Sequence, residues 1–302
     1  MRRLTITASP GTLIEVPRTA YLDANVYNDI ERKAVPEDEV EATRAARRRG
    51  ALTIRLGVCD LEESALAVWN NNPELALRRL AIMQDLAGFD SMLHQPADVL
   101  EMSIRAYATG TLRPSPLLPL ARRLEVANRI AEGIGNPAAF GPMVTEIVAG
   151  VREQKEKHRK LMAEARERAL KKIKARWSPR EVRKLSFEEY FVSGAAGWAE
   201  DLARPHGLVA ACRERGLDGL LKVPAVRLTV GVLLSQIHAQ VVAERLPEGG
   251  DGYDVWHAIQ ASTASVFVTN DQRLVAHMNR IPGGTSVRAV KSLRELLDTL
   301  GQ

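Results

Sequence analysis

Cysteine is almost missing from this 302-residue chain: Cys59 and Cys212 stand far apart with no C-x-x-C. Neither a disulfide framework nor a cysteine-ligated zinc site is indicated, and a reducing, cytoplasmic compartment is expected. Aromatic residues make up only 5%, so Leu, Val, Ile and Ala must fill the core, with helices the main element. The six histidines form no H-E-x-x-H or other ligand pair. Each therefore reads as a packing or surface residue, with His257 alone near the acidic residues described below. No run approaches the ~18 apolar residues of a membrane span, and no apolar stretch follows Arg2 and Arg3 as in a leader. A soluble, unexported protein with no membrane partner is expected.

What is present is an ordinary globular balance, 45% hydrophobic and 26% charged, in a chain long enough for one large domain or two ordinary ones. A net charge of +5 favours an anionic partner. The positive charge is concentrated: residues 151 to 184 hold 14 Lys and Arg against 5 Glu and no Asp, leaving the rest of the chain net negative. This stretch reads as a long helix with a thin apolar stripe of Leu161, Ala165, Ala169 and Ile173. Lys171, Lys172 and Lys174 are its candidate phosphate contacts, a solvated helix being the plain alternative. Trp177 near its end and Phe187, Tyr190 and Phe191 after it read as core packing before base stacking. EGIGNP at 132 to 137 lacks a preceding strand and reads as a helix-to-helix turn.

The acidic residues fall at junctions. YLDANVYNDI, residues 21 to 30, reads as a buried strand ending at Asp23 and opening into a helix. ALTIRLGVCDLEESALAVW, residues 51 to 69, begins with period-2 apolar positions and turns helical near Asp60, carrying Glu62 and Glu63. Residues 74 to 222 are helical in pattern, and 225 to 246 read as an apolar helix, with a strand the alternative from its β-branched start. Loop, helix, short strand and helix follow in 249 to 278, with Asp254 opening the helix and Asp271 following the strand SVFV. A strand and a terminal helix close the chain. Asp29, Asp60 and Asp251 read as helix caps or solvated positions.

Several carboxylates meeting at one place repel unless a cation sits among them, and hard oxygen ligands point to Mg2+ or Mn2+. Such sites activate water for phosphodiester cleavage. In order and context, YLDANVYNDI, LGVCDLEESAL, GYDVWHAIQAS and VFVTNDQRL resemble the PIN domain, a metal-dependent nuclease fold found in toxin ribonucleases of toxin-antitoxin pairs and in RNA-processing enzymes. The resemblance covers roughly residues 17 to 72 and 225 to 302. It implies an α/β/α sandwich around a parallel sheet, with Asp23, Glu63, Asp254 and Asp271 as catalytic metal ligands and Asn25 and Thr269 in support. Set against the family pattern, Glu63 fits better than Glu62, because Leu61, Val58 and Leu56 then take the apolar places before it. Two departures are the length of the chain and Ser64, which stands where those toxins usually carry an apolar residue.

The expectation is thus a PIN-like α/β domain in two parts, 1–73 and 225–302, interrupted by an all-helical insertion, 74–224, that carries the basic helix 151–184. The expected function is a Mg2+- or Mn2+-dependent endoribonuclease that binds RNA. A catalytically idle scaffold binding nucleic acid or protein through the insertion, and a DNA-directed nuclease, are the alternatives. A homo-oligomer and an inhibitory protein partner are both compatible with the sequence.

Overall fold

The computed structural model describes residues 18–69, 71–136, scattered positions from 138 to 181, 184–242 and 250–301. Strand β1 is Arg18–Leu22, followed by helices α1 (Ala24–Glu31) and α2 (Glu37–Arg48), then β2 (Leu52–Arg55). A single turn, α3 (Val58–Asp60), runs directly into a π-helical turn, Leu61–Ala65. Helices α4 (Pro73–Leu86), α5 (Pro96–Thr109), α6 (Leu120–Gly135), α7 (Phe187–Ala203), α8 (Val209–Arg215), α9 (Leu217–Leu220) and α10 (Pro224–Val242) occupy the middle. The chain closes with α11 (Asp251–Ala261), β3 (Val266–Val268), α12 (Gln272–Asn279), β4 (Arg288–Val290) and α13 (Leu293–Leu300).

The four strands form one all-parallel sheet in the order β2-β1-β3-β4. Parallel sheets bury both faces, which is why β1 and β3 read as continuous apolar runs. Ala20, Leu22, Val266 and Val268 pack on one side with Val26, Tyr27, Leu80, Met83 and Leu296. Tyr21 and Phe267 turn to the other, stacked with ring centroids 5.5 Å apart, among Ile104, Phe187, Val230 and Ala258. Both cores therefore mix side chains from the chain ends with side chains from the helical middle. Phe187, Tyr190 and Phe191 are buried in the second core, as read from sequence; Trp177 lies outside the described residues.

The chain leaves β1 toward β2 on one side and returns as β3 on the other, so the crossovers diverge between β1 and β3. A crevice opens at such a switch point, outside the carboxyl ends of the strands. Asp23 and Thr269 stand on its two lips, joined by Asp23 N–H donating to the Val268 carbonyl at 2.9 Å.

Helix α10 corrects one expectation. It is 19 residues long with a mean hydropathy of 1.3, long and apolar enough to cross a membrane by length and composition. Its apolar surface is spent inside the fold, where 78% of that stretch is buried against other elements.

Candidate active site

The crevice is a cleft of about 300 Å3 whose walls include Asp23, Asn25, Glu63, Asp254, His257, Asp271 and Arg273. All four acids singled out in the sequence thus line a single opening. Asp23 occupies the N-cap position of α1 yet makes no side-chain capping bond. The residue is instead 3% exposed, and its Oδ2 accepts from Thr269 Oγ1 at 2.6 Å and from Asn25 Nδ2 at 3.3 Å. Thr269 also accepts from Asp271 N–H at 3.0 Å, tying the two strand ends together. Asp271 does cap: its Oδ1 accepts from Arg273 N–H and Leu274 N–H at the start of α12.

His257 is the hub of the site, and reading it from spacing alone missed it. One turn beyond Asp254 on α11 and almost fully buried, it places Nε2 2.9 Å from Glu63 Oε2 and 3.7 Å from Asp23 Oδ1. Its Nδ1 lies 2.7 Å from Tyr21 Oη and 3.7 Å from Asp60 Oδ1. Burial alone would lower its pKa, but Asp23, Glu63 and Asp60 overcome that and push it up to about 10. The imidazole is accordingly a cation in the metal-free cleft at neutral pH. Behind it, Asp60 accepts from Tyr21 Oη at 3.0 Å and from Gly57 N–H at 2.8 Å. Asp60 is fully buried, so it is no solvated position, while its bond from Gly57 N–H makes it the capping residue of that turn. Burial drives its pKa well up, against the opposing pull of His257. Gly57 is required here: a Cβ would come within 2.1 Å of Gln260 Oε1, whose own partner is the Tyr21 hydroxyl.

Glu63 reaches the cleft from a π-helical segment, and π turns recur at functional sites. Arg79 Nη1 donates to the Ser64 carbonyl at 2.6 Å and Ser64 Oγ donates to Asn28 Oδ1 at 2.7 Å, which fixes this irregular turn to α4 and α1. Ser64, apolar in the family pattern, thus has a structural use. Glu62 points elsewhere and accepts from Tyr253 Oη at 3.2 Å.

Asp254 forms the opposite wall. Its Oδ2 accepts from Gln236 Nε2 at 3.1 Å, with Arg273 Nη2 at 3.5 Å. Burial raises its pKa to about 7; Arg273 opposes that shift while Asp271 and Asp251 add to it. Asp251 is likewise fully buried and accepts from Gln240 Nε2 at 2.8 Å, so it is no solvated position either. Both glutamines come from α10, the apolar helix, which explains why they interrupt it.

Asp23, Asp60 and His257 form a buried group whose ligand atoms all lie within 4.8 Å of one another, and it could hold a metal ion. Only Asp23 of the four expected ligands belongs to it. The donors fit an ion in part: Asp23 and His257 Nε2 face the cleft, whereas Asp60 is engaged by two neutral donors behind its floor. Lys171 is exposed, and Lys172 and Lys174 lie outside the described residues. Comparison with protein families, with curated proteins and with solved structures finds no match to this chain.

Proposed function

We propose that the cleft binds Mg2+ or Mn2+ and hydrolyses phosphodiester bonds of RNA. The observation that supports this most is the gathering of Asp23, Glu63, Asp254 and Asp271 around one opening at the switch point of a parallel sheet. Such a set would hold a hard cation, and His257 among the ligands would lean the choice toward Mn2+. A bound ion supplies Lewis acidity and a water of lowered pKa. The chain's own part is to hold the set in place: Thr269 orients Asp23, Gln236 orients Asp254, and Arg79 holds the turn that carries Glu63. The choice of RNA as substrate comes from the family resemblance.

One observation favours a second reading, an idle scaffold. His257 beside Glu63 and Arg273 beside Asp254 supply two cations of the protein's own to the acids, the usual task of a metal. Incubating labelled single-stranded RNA and DNA with the protein in EDTA, Mg2+ or Mn2+ separates the readings. Cleavage of RNA that requires the ion and falls by orders of magnitude in Asp254→Asn is expected. No cleavage with either ion, or equal cleavage by the variant, would sink the proposal, and preference for DNA would replace the substrate.

A further inference from the structure

A second cleft, of about 440 Å3, lies away from the acids, between the end of α5, the turn entering α9 and the start of α10. Among the described residues its walls carry Arg113, Arg215 and Lys222 and no Asp or Glu. None of the three forms an ion pair with a described residue. Three exposed arginines elsewhere, Arg48, Arg122 and Arg204, each face a carboxylate and so serve as a contrast. One of the cations, Arg215, is also held in place. Tyr107 Oη donates to the carbonyls of Arg215 and Gly216, riveting that turn to α5, and the Arg215 guanidinium lies over the Tyr107 ring, 5.6 Å from its centroid. Arg55, at the carboxyl end of β2, adds a fourth positive charge close enough to Arg113 to feel its repulsion. Like charges gathered with no counter-charge among the described residues cost free energy that an anionic ligand would recover.

We propose that this cleft is a phosphate-binding subsite that holds the phosphodiester backbone of a nucleic-acid strand. It offers cations without a base pocket: the Tyr107 face is covered by Arg215 and its hydroxyl is engaged, so contact is with phosphate and independent of sequence. Pro224 at the basic cleft and Gln236 beside Asp254 are on one helix, about 18 Å apart at 1.5 Å per residue, a span of a few nucleotides.

The subsite is tested by binding alone, so it stands or falls apart from hydrolysis at the acid cleft. A fluorescein-labelled 12-nucleotide single-stranded RNA is titrated with the full-length protein in EDTA at several salt concentrations, following anisotropy. The triple variant R113Q, R215Q, K222Q is compared with R48Q, R122Q, R204Q, which removes the same charge from carboxylate-paired sites; unchanged melting curves verify folding. At ~0.7 per phosphate contact, the cleft variant is expected to flatten the slope of log K against log salt by about 2 and to weaken binding about tenfold or more near physiological salt. The control variant is expected to stay near the parent. Equal loss in both variants, or no loss in the cleft variant, overturns the inference. So does displacement of the RNA by millimolar inorganic phosphate at fixed ionic strength, which would assign the cleft to the free ion.

Discussion

Replacing His257 by Gln removes the cation at the centre of the acid cluster, and the consequence can be worked from its surroundings. The imidazole is almost fully buried, with Asp23, Glu63 and Asp60 all within 4 Å. A pKa raised from 6.5 to about 10 in the folded, metal-free protein means that folding takes up a proton. The resulting stabilisation is complete below pH 6.5 and is lost as pH rises through 10. Its ceiling is roughly 5 kcal/mol from the shift itself, and removing one member of a buried ion pair costs about 3–5 kcal/mol. His257→Gln should therefore lower the unfolding free energy by roughly that amount at pH 6, and by much less at pH 9.5. Urea unfolding in EDTA at both pH values measures it, and the difference between parent and variant cancels other titrations common to both. A variant equally destabilised at the two pH values would show that packing, not charge, is what His257 contributes.

Two further outcomes follow from the same geometry. Asp254, with its pKa raised to about 7, opposes folding as pH climbs from 3.8 through 7, so Asp254→Asn should stabilise the metal-free protein at pH 8, with a ceiling of roughly 4 kcal/mol from the shift; a destabilised variant in urea unfolding would contradict this. Glu63→Gln should lose metal-dependent cleavage while Glu62→Gln retains it, because only Glu63 lines the cleft; the reverse result in the RNA assay would shift the ligand by one residue.

How much of this could be read from the sequence differs from residue to residue. The strands before Asp23 and Asp271 were readable because parallel strands buried on both faces leave unbroken apolar runs, and the junction acids lie next to them in sequence. The apolar helix after 224 was readable for the same reason, although its length and hydropathy also fit a membrane span, and only its packing shows where the apolar surface goes. His257, Asp60 and Tyr21 were not readable as partners. Their contacts join residues 39 and 236 apart, and no local period records such distances. The tyrosine looked like a core residue, as it is, but its hydroxyl ends in the network. The π turn was hidden too, since LEES has no composition that separates it from an ordinary helix start. A signal for His257 did exist: it stands one turn from Asp254 on a helix whose first turn is acidic.

The most direct test of the account is whether the acid cleft takes up a divalent ion. Titrating Mn2+ into the metal-free protein, by calorimetry and by the loss of the free-ion signal in electron paramagnetic resonance, should give saturable binding in the parent. Asp23→Asn, which removes the one residue shared by the buried triad and the four cleft acids, should abolish it. A parent that leaves the free-ion signal unchanged, or an Asp23→Asn variant that binds as the parent does, would contradict the central claim and leave His257 and Arg273 as the cations of the cluster.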